Sequence, residues 1–170
     1  FEAEALHVIA EKADGALRDA LSCFDLMVNF TNSNITYKEV VKNLNILDHD
    51  YYFKFADFIQ KNLIHESLLL FSEIIPRGFD GRLFINGLAS HFRNLMISKD
   101  ERTLKILEYT KDTIEKFKTQ AELFDNEYLT DLLSLINEAD SIYKTSQSQR
   151  LLVEILIMKL CSSRAEKKKL

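Results

Sequence analysis

The sequence predicts an all-α protein, and three observations carry that prediction. Glycine and proline are scarce, four and one among 170 residues, too few for the turns that a strand-rich fold demands. Apolar residues recur three and four positions apart through most of the chain, the period of a helix face. Short polar clusters with helix-start chemistry separate the periodic stretches.

The first helix is expected over Glu2 to Lys12, with Leu6, Ile9, Ala10 and Ala13 on one face. Asp14-Gly15 interrupts it, with Asp14 placed to cap a second helix from about Ala16 to Phe30. Leu17, Leu21, Phe24 and Val28 form the apolar stripe expected to be buried there. Thr31-Asn32-Ser33-Asn34 reads as a loop. Thr36-Tyr37-Lys38-Glu39 matches a capping box, and Ile35 and Val40 are spaced for a hydrophobic staple around it. That third helix is expected to reach about Leu47, and a domain boundary is placed at Asp48-His49-Asp50.

A second, longer helical region follows. Asp50 to Asn62 offers Tyr52, Phe55, Ala56 and Ile59, and His65 to Ile75 offers Leu68, Leu69 and Ser72 before Pro76 and Gly78 stop it. Asp80-Gly81 opens a helix to Lys99 that lines up Phe84, Leu88, Phe92, Leu95 and Met96. Glu101 to Phe124 reads as one interrupted helix or two. Asn126 to Lys144 carries Leu129, Leu132, Leu133, Ile136, Ala139 and Tyr143 in register. The last helix, Gln149 to about Ser163, is apolar on almost every side, so it is expected to be a domain centre or part of a subunit interface. Glu154 inside it needs a partner, and Arg150 one turn earlier is the nearest candidate.

Composition excludes several functions. The chain is 46% apolar and 28% charged, as a folded soluble protein is. Its net charge of -4 gives no support to direct nucleic-acid coating. Cys23 and Cys161 sit within apolar patterns and read as free thiols. The absence of a bilayer-length apolar run or a leader points to a cytoplasmic location and no membrane partner. Phe1 at the start and the basic stretch from Arg164 to Leu170 at the end read as cuts in a longer protein. The four glycines fit no phosphate-loop frame, and the four histidines are scattered without metal-ligand spacing. The chain is expected to catalyse nothing and to hold no metal.

ADGALRDALS, residues 13–22, is the exception to this plainness. Arg18 falls in the first turn of the second helix, where the backbone favours negative charge and where Asp19 is the better-placed residue. One reading is a solvated arginine paired with Asp14 four residues earlier. The other is an anion sensor, in which a guanidinium and a helix N-terminus converge on one phosphate.

ADGALRDALS, continued by Cys23-Phe24-Asp25, resembles the lid motif of AAA+ clamp-loader ATPases, most of all the gamma/tau subunits of bacterial DNA polymerase III. Leu6 to Lys12 resembles the helix before that motif, and residues 65–96 and 149–160 resemble the collar that follows it. The resemblance is poor between Asp100 and Asn126. It implies a three-helix lid over 1–48, a helical collar for oligomerisation over 49–163, and a basic linker start over 164–170. It implies that Arg18 is the second sensor, reaching the terminal phosphate of ATP, with Asp14, Gly15 and Asp19 as supporting motif residues. ATP and Mg2+ are then expected only with a preceding nucleotide-binding domain. The implied partners are other clamp-loader subunits through the collar, and the sliding clamp and primer–template DNA through the intact complex. The rival readings are a stand-alone helical adaptor, which binds a partner's helix in an apolar groove, and a helical nucleic-acid binder.

Overall fold

The computed structural model of the chain describes residues 1–13, 16–31, 34–44, 47–75, 80–107 and 109–167, and their side chains except at 11 and 164–167. Among the described residues there are nine α-helices, one 3-10 turn and no strand. They are α1 (Ala3–Lys12), α2 (Leu17–Phe30), α3 (Tyr37–Asn43), α4 (His49–Gln60), α5 (Ile64–Ile74), α6 (Gly81–Ile97), α7 (Lys111–Ala121), α8 (Asn126–Tyr143) and α9 (Gln149–Lys167).

The helix starts follow from local chemistry. Thr36 Oγ1 accepts from Glu39 N at 3.3 Å, while the Glu39 carboxylate takes Asn43 Nδ2 at 3.2 Å. The threonine half of the capping box is therefore formed, and Ile35 and Val40 are both buried as a staple requires. Asp48, Asp80 and Asp125 cap α4, α6 and α8 by accepting from Asp50 N, Arg82 N and Tyr128 N. The stretch Asp48-His49-Asp50 is thus the cap and first turn of α4. Behind α4, Asn62 has φ 56°, and Leu63 N and Asn62 N donate to Phe58 O and Ile59 O. That is a Schellman ending, and asparagine tolerates its left-handed residue. α3 stops at Asn43, earlier than its apolar pattern suggests. The Glu101–Phe124 region resolves into a 3-10 turn at Leu104–Ile106 and then α7. α9 continues to Lys167, so part of the expected tail is helix. The proposed stop at Pro76 and Gly78 lies outside the described residues.

The buried side chains form two hydrophobic clusters. The first joins α1–α3 through Ala5, Val8, Ile9, Met27, Ile35 and Val40. Two expected faces are corrected here. On α1, Val8 and Ala5 are buried and Ala10 is exposed. On α2, Met27 is the buried residue, Phe24 and Val28 are partly covered, and Leu17 and Leu21 stand in solvent. The second cluster fills α4–α9 and contains the large rings Phe55, Phe71, Phe84, Phe92, Phe117 and Phe124. α8 lies along both α6 and α9, and α9 also packs on α4 and α5. Aromatic edges meet aromatic faces there, as between Phe55 and Phe84 at 4.9 Å. Cys161 is buried in this cluster, and both cysteines are free.

Inside the second cluster His91, Gln120 and Asp57 form one polar chain. Gln120 Nε2 donates to Phe53 O at 2.8 Å and to Asp57 Oδ1 at 2.7 Å. Gln120 Oε1 can only accept, so His91 Nε2 donates to it at 2.7 Å. Burial pushes the His91 pKa down to about 4, against the pull of Gln120.

Candidate functional site

The site is built on the start of α2. Ala13 is buried, and its carbonyl accepts from Ala16 N at 2.9 Å. Ala16 is extended, with φ −82° and ψ 102°, and occupies the cap position. The expected cap was Asp14; the cap position belongs to Ala16, which brings no side-chain acceptor, and both Asp14 and Gly15 lie outside the described residues. The first-turn N–H groups therefore receive no capping bond from the Ala16 side chain.

Arg18 is the second residue of that helix and is exposed. Among the described residues its guanidinium has no hydrogen-bond or ion-pair partner, although Ser22 Oγ donates to its carbonyl at 2.9 Å. The pairing with Asp14 falls outside the described residues. Asp19 is also exposed and sits in the first turn, where its charge complements the helix end.

Leu17 and Leu21 stand beside Arg18 and are 74% and 56% exposed. At 100° per residue Leu17 and Leu21 continue the Phe24 and Val28 face toward the helix start, and Arg18 lies on the side opposite Met27. Two exposed leucines beside an exposed arginine make a surface with both apolar and anion-binding character. Sequence periodicity missed it because the same spacing describes a face buried in the chain's own core and a face held ready for another surface.

A polar and aromatic joint connects α1–α3 to the rest. Glu4 Oε1 accepts from the hydroxyls of Thr110 and Thr113 at 2.8 and 3.1 Å. His7 and His49 meet the ring of Tyr109 edge-on at 5.0 and 5.3 Å, and Tyr37 stacks on His49 at 5.8 Å. Tyr37 Oη donates to Asp48 Oδ1 at 3.3 Å and accepts from His49 N at 3.2 Å. Burial raises the Tyr37 phenol well above its ordinary range; the His49 bond opposes this and the Asp48 charge adds to it. Sequence reasoning did not find this joint, because its members are up to 109 residues apart.

Among the described residues no group of three or more His, Cys, Asp or Glu is placed to hold a metal ion. Among the same residues no helix is long and apolar enough to cross a membrane.

No family model matches the chain. Among solved structures, its fold matches the DNA clamp loader delta protein of Bacillus subtilis, with a TM-score of 0.60 over 91% of this chain and 49% of that one. The sequence identity is 18%, so the likeness is one of fold alone.

Curated relatives are more particular. The chain is 24% identical over 163 residues to DNA polymerase III subunit tau of Bacillus subtilis, a match that covers 95% of the chain and 29% of the relative. It is 28% identical over 139 residues to the gamma/tau subunit of Mycoplasma genitalium, covering 81% and 23%. It is 24% identical over 162 residues to the gamma subunit of Buchnera aphidicola, covering 93% and 44%. The resemblance first visible in ADGALRDALS thus extends along nearly the whole chain. The chain spans less than half the length of these relatives.

Proposed function

We propose that this chain is the lid and collar of a DNA polymerase III clamp-loader subunit, a non-catalytic part that senses nucleotide and supports assembly in ATP-dependent clamp loading. Residues 1–48 act as the lid and 49–163 as the collar. The observation that carries the reading is Arg18: an exposed residue in the first turn of α2, within a motif that resembles this family's, in a chain 24% identical to a tau subunit over 163 residues.

The residues present fit a terminal phosphate of ATP held by a preceding nucleotide-binding domain. Arg18 supplies a forked cation, and the first turn of α2 supplies backbone donors. Leu17 and Leu21 cover the apolar edge of the contact. ATP and Mg2+ supply the phosphoryl chemistry when bound to that domain; this chain's residues orient and report. The lid responds because its own core is small and its joint to the collar is polar. Nucleotide shifts the lid angle only by its differential affinity for two lid positions. The clamp and primer–template DNA are met through the assembled complex, with other subunits held at the collar.

DNA-stimulated ATP hydrolysis by the assembled full-length complex tests this. A charge-assisted hydrogen bond contributes about 1.5–3 kcal/mol, so Arg18→Ala is expected to lower the rate by roughly 10- to 100-fold, and Arg18→Lys less. An unchanged rate in the Arg18→Ala complex would remove the sensor role.

A further inference from the structure

Two sets of contacts join α1–α3 to α4–α9, and they differ in what keeps each together. The first sits where the chain crosses between the regions. Leu44 packs on the first cluster and Leu47 is buried in the second. Three steps of chain separate them, so they stay within about 11 Å of each other however the regions turn. At this crossing Tyr37 of α3 bonds to Asp48 and to His49 N. The chain itself tethers these contacts, which makes them a pivot.

The second set has no such tether. Glu4 lies 106 and 109 residues from Thr110 and Thr113, and only the folding of both regions brings them together. Glu4 belongs to the first turn of α1, and its carboxylate reaches the first turn of α7. There Thr110 is the cap and accepts from Thr113 N. One negative charge thus serves two helix starts, and both favour it. Thr110 is exposed, and Glu4 and Thr113 are half-buried, so water can take the place of either partner. Apolar support is thin, because the two hydrophobic clusters are separate. His7 of α1 meets Tyr109, whose other contacts include Phe117 and Asn94 within the larger region. The α7 half of this set falls between Asp100 and Asn126, where the motif resemblance is poor, so it is a feature of this chain's own sequence.

We propose that Glu4, Thr110 and Thr113 form a releasable clasp, which holds α1–α3 against the start of α7 in one position and, when it opens, lets them turn about the Tyr37–Asp48–His49 pivot. This deepens the function proposed above and rests on it: the clasped and open positions are the two lid positions between which nucleotide selects. Opening exchanges a few polar contacts for water and exposes no shared core, so both positions are accessible to the folded chain.

Distances between paired spin labels in the 170-residue chain test it. Asp25→Cys on α2 and Asn137→Cys on α8 are exposed labelling positions, Cys23→Ser removes the accessible native thiol, and dilution with unlabelled chain keeps the distances within one molecule. With the clasp intact one narrow distance is expected. Glu4→Ala is expected to lower the closed-to-open ratio about ten-fold, seen as a second or broadened distance, and Glu4→Gln less, since an uncharged oxygen still accepts. Thr113→Val acts from the other side of the clasp and leaves both α1 and the Thr110 cap in place; it is expected to broaden the distance too. Amide exchange in α1 is expected to stay slow in every variant. A distance that stays narrow in both Glu4→Ala and Thr113→Val overturns the proposal, as does a distance already broad with the clasp intact. Broadening in Glu4→Ala alone, with fast exchange in α1, also overturns it, because Glu4 then holds α1–α3 together and not to α7. These distances involve no nucleotide, so their failure leaves the Arg18 measurement untouched, and a failed Arg18 measurement leaves them standing.

Discussion

The region α1–α3 and the region α4–α9 are both helical, yet they are stabilised very differently. Among the described residues the first buries six apolar side chains in its cluster, none aromatic; the second buries 26, with nine Phe or Tyr among them. A cluster of the first size is marginal alone. The leucines of α2 that would have enlarged it face outward beside Arg18. The difference teaches where each region spends its apolar residues: the larger one on a rigid body, the smaller one on a surface for something outside it.

The largest effect that sharpens this contrast belongs in the larger core. Phe92 is fully buried and packs against Phe124 and His91. Phe92→Ala is expected to cost about 3–5 kcal/mol, read as a lower urea midpoint for the whole chain. A loss comparable to that of an exposed site would show that α4–α9 is not the rigid partner.

Acid should act on the same region. The folded-state pKa of His91 lies below its unfolded value, so the folded state resists taking up the proton. Stability supported by the neutral ring is whole above about pH 6.5 and drains as pH falls toward about 4. The loss over that window is about 3 kcal/mol, from roughly 2.5 pH units. Urea midpoints of wild type and His91→Gln at pH 7 and pH 4.5 check this, because other carboxylates titrate in both chains. Parallel pH dependence in the two chains would contradict it.

In the smaller region the effects are modest. Thr36→Ala removes the acceptor of Glu39 N and is expected to cost about 1 kcal/mol. Hydrogen exchange is the suitable probe, with the loss read in the α3 amides and little change in α4–α9. Protection lost uniformly through the chain would mean that the two regions unfold as one.

Much of the fold was legible in the sequence, and the reasons are local. Thr36, Asp80 and the low glycine and proline content announce helices by chemistry confined to a few residues. Phe84, Leu88, Phe92 and Leu95 repeat on one face and are all buried. What was not legible depended on surfaces. Leu17 and Leu21 have core spacing but no core beneath them. The α9 pattern gave no hint of which apolar residues face inward. The His91–Gln120–Asp57 chain joins residues up to 63 positions apart and leaves no periodic trace. Arg18 was legible through its motif and its wrong-sign charge, and the structure places it in solvent.

The smallest expected effect is on stability at Arg18 itself. Arg18→Ala is expected to shift the chain's unfolding free energy by no more than about 0.5 kcal/mol, and relief from the helix end offsets part of even that. The central claim is tested most directly by the ATP-to-ADP affinity ratio of the full-length subunit. If Arg18 reads the terminal phosphate, Arg18→Ala lowers ATP affinity about ten-fold or more and leaves ADP affinity unchanged, so the ratio falls. A ratio equal to that of the wild type, whether both affinities hold or both drop together, would contradict the account.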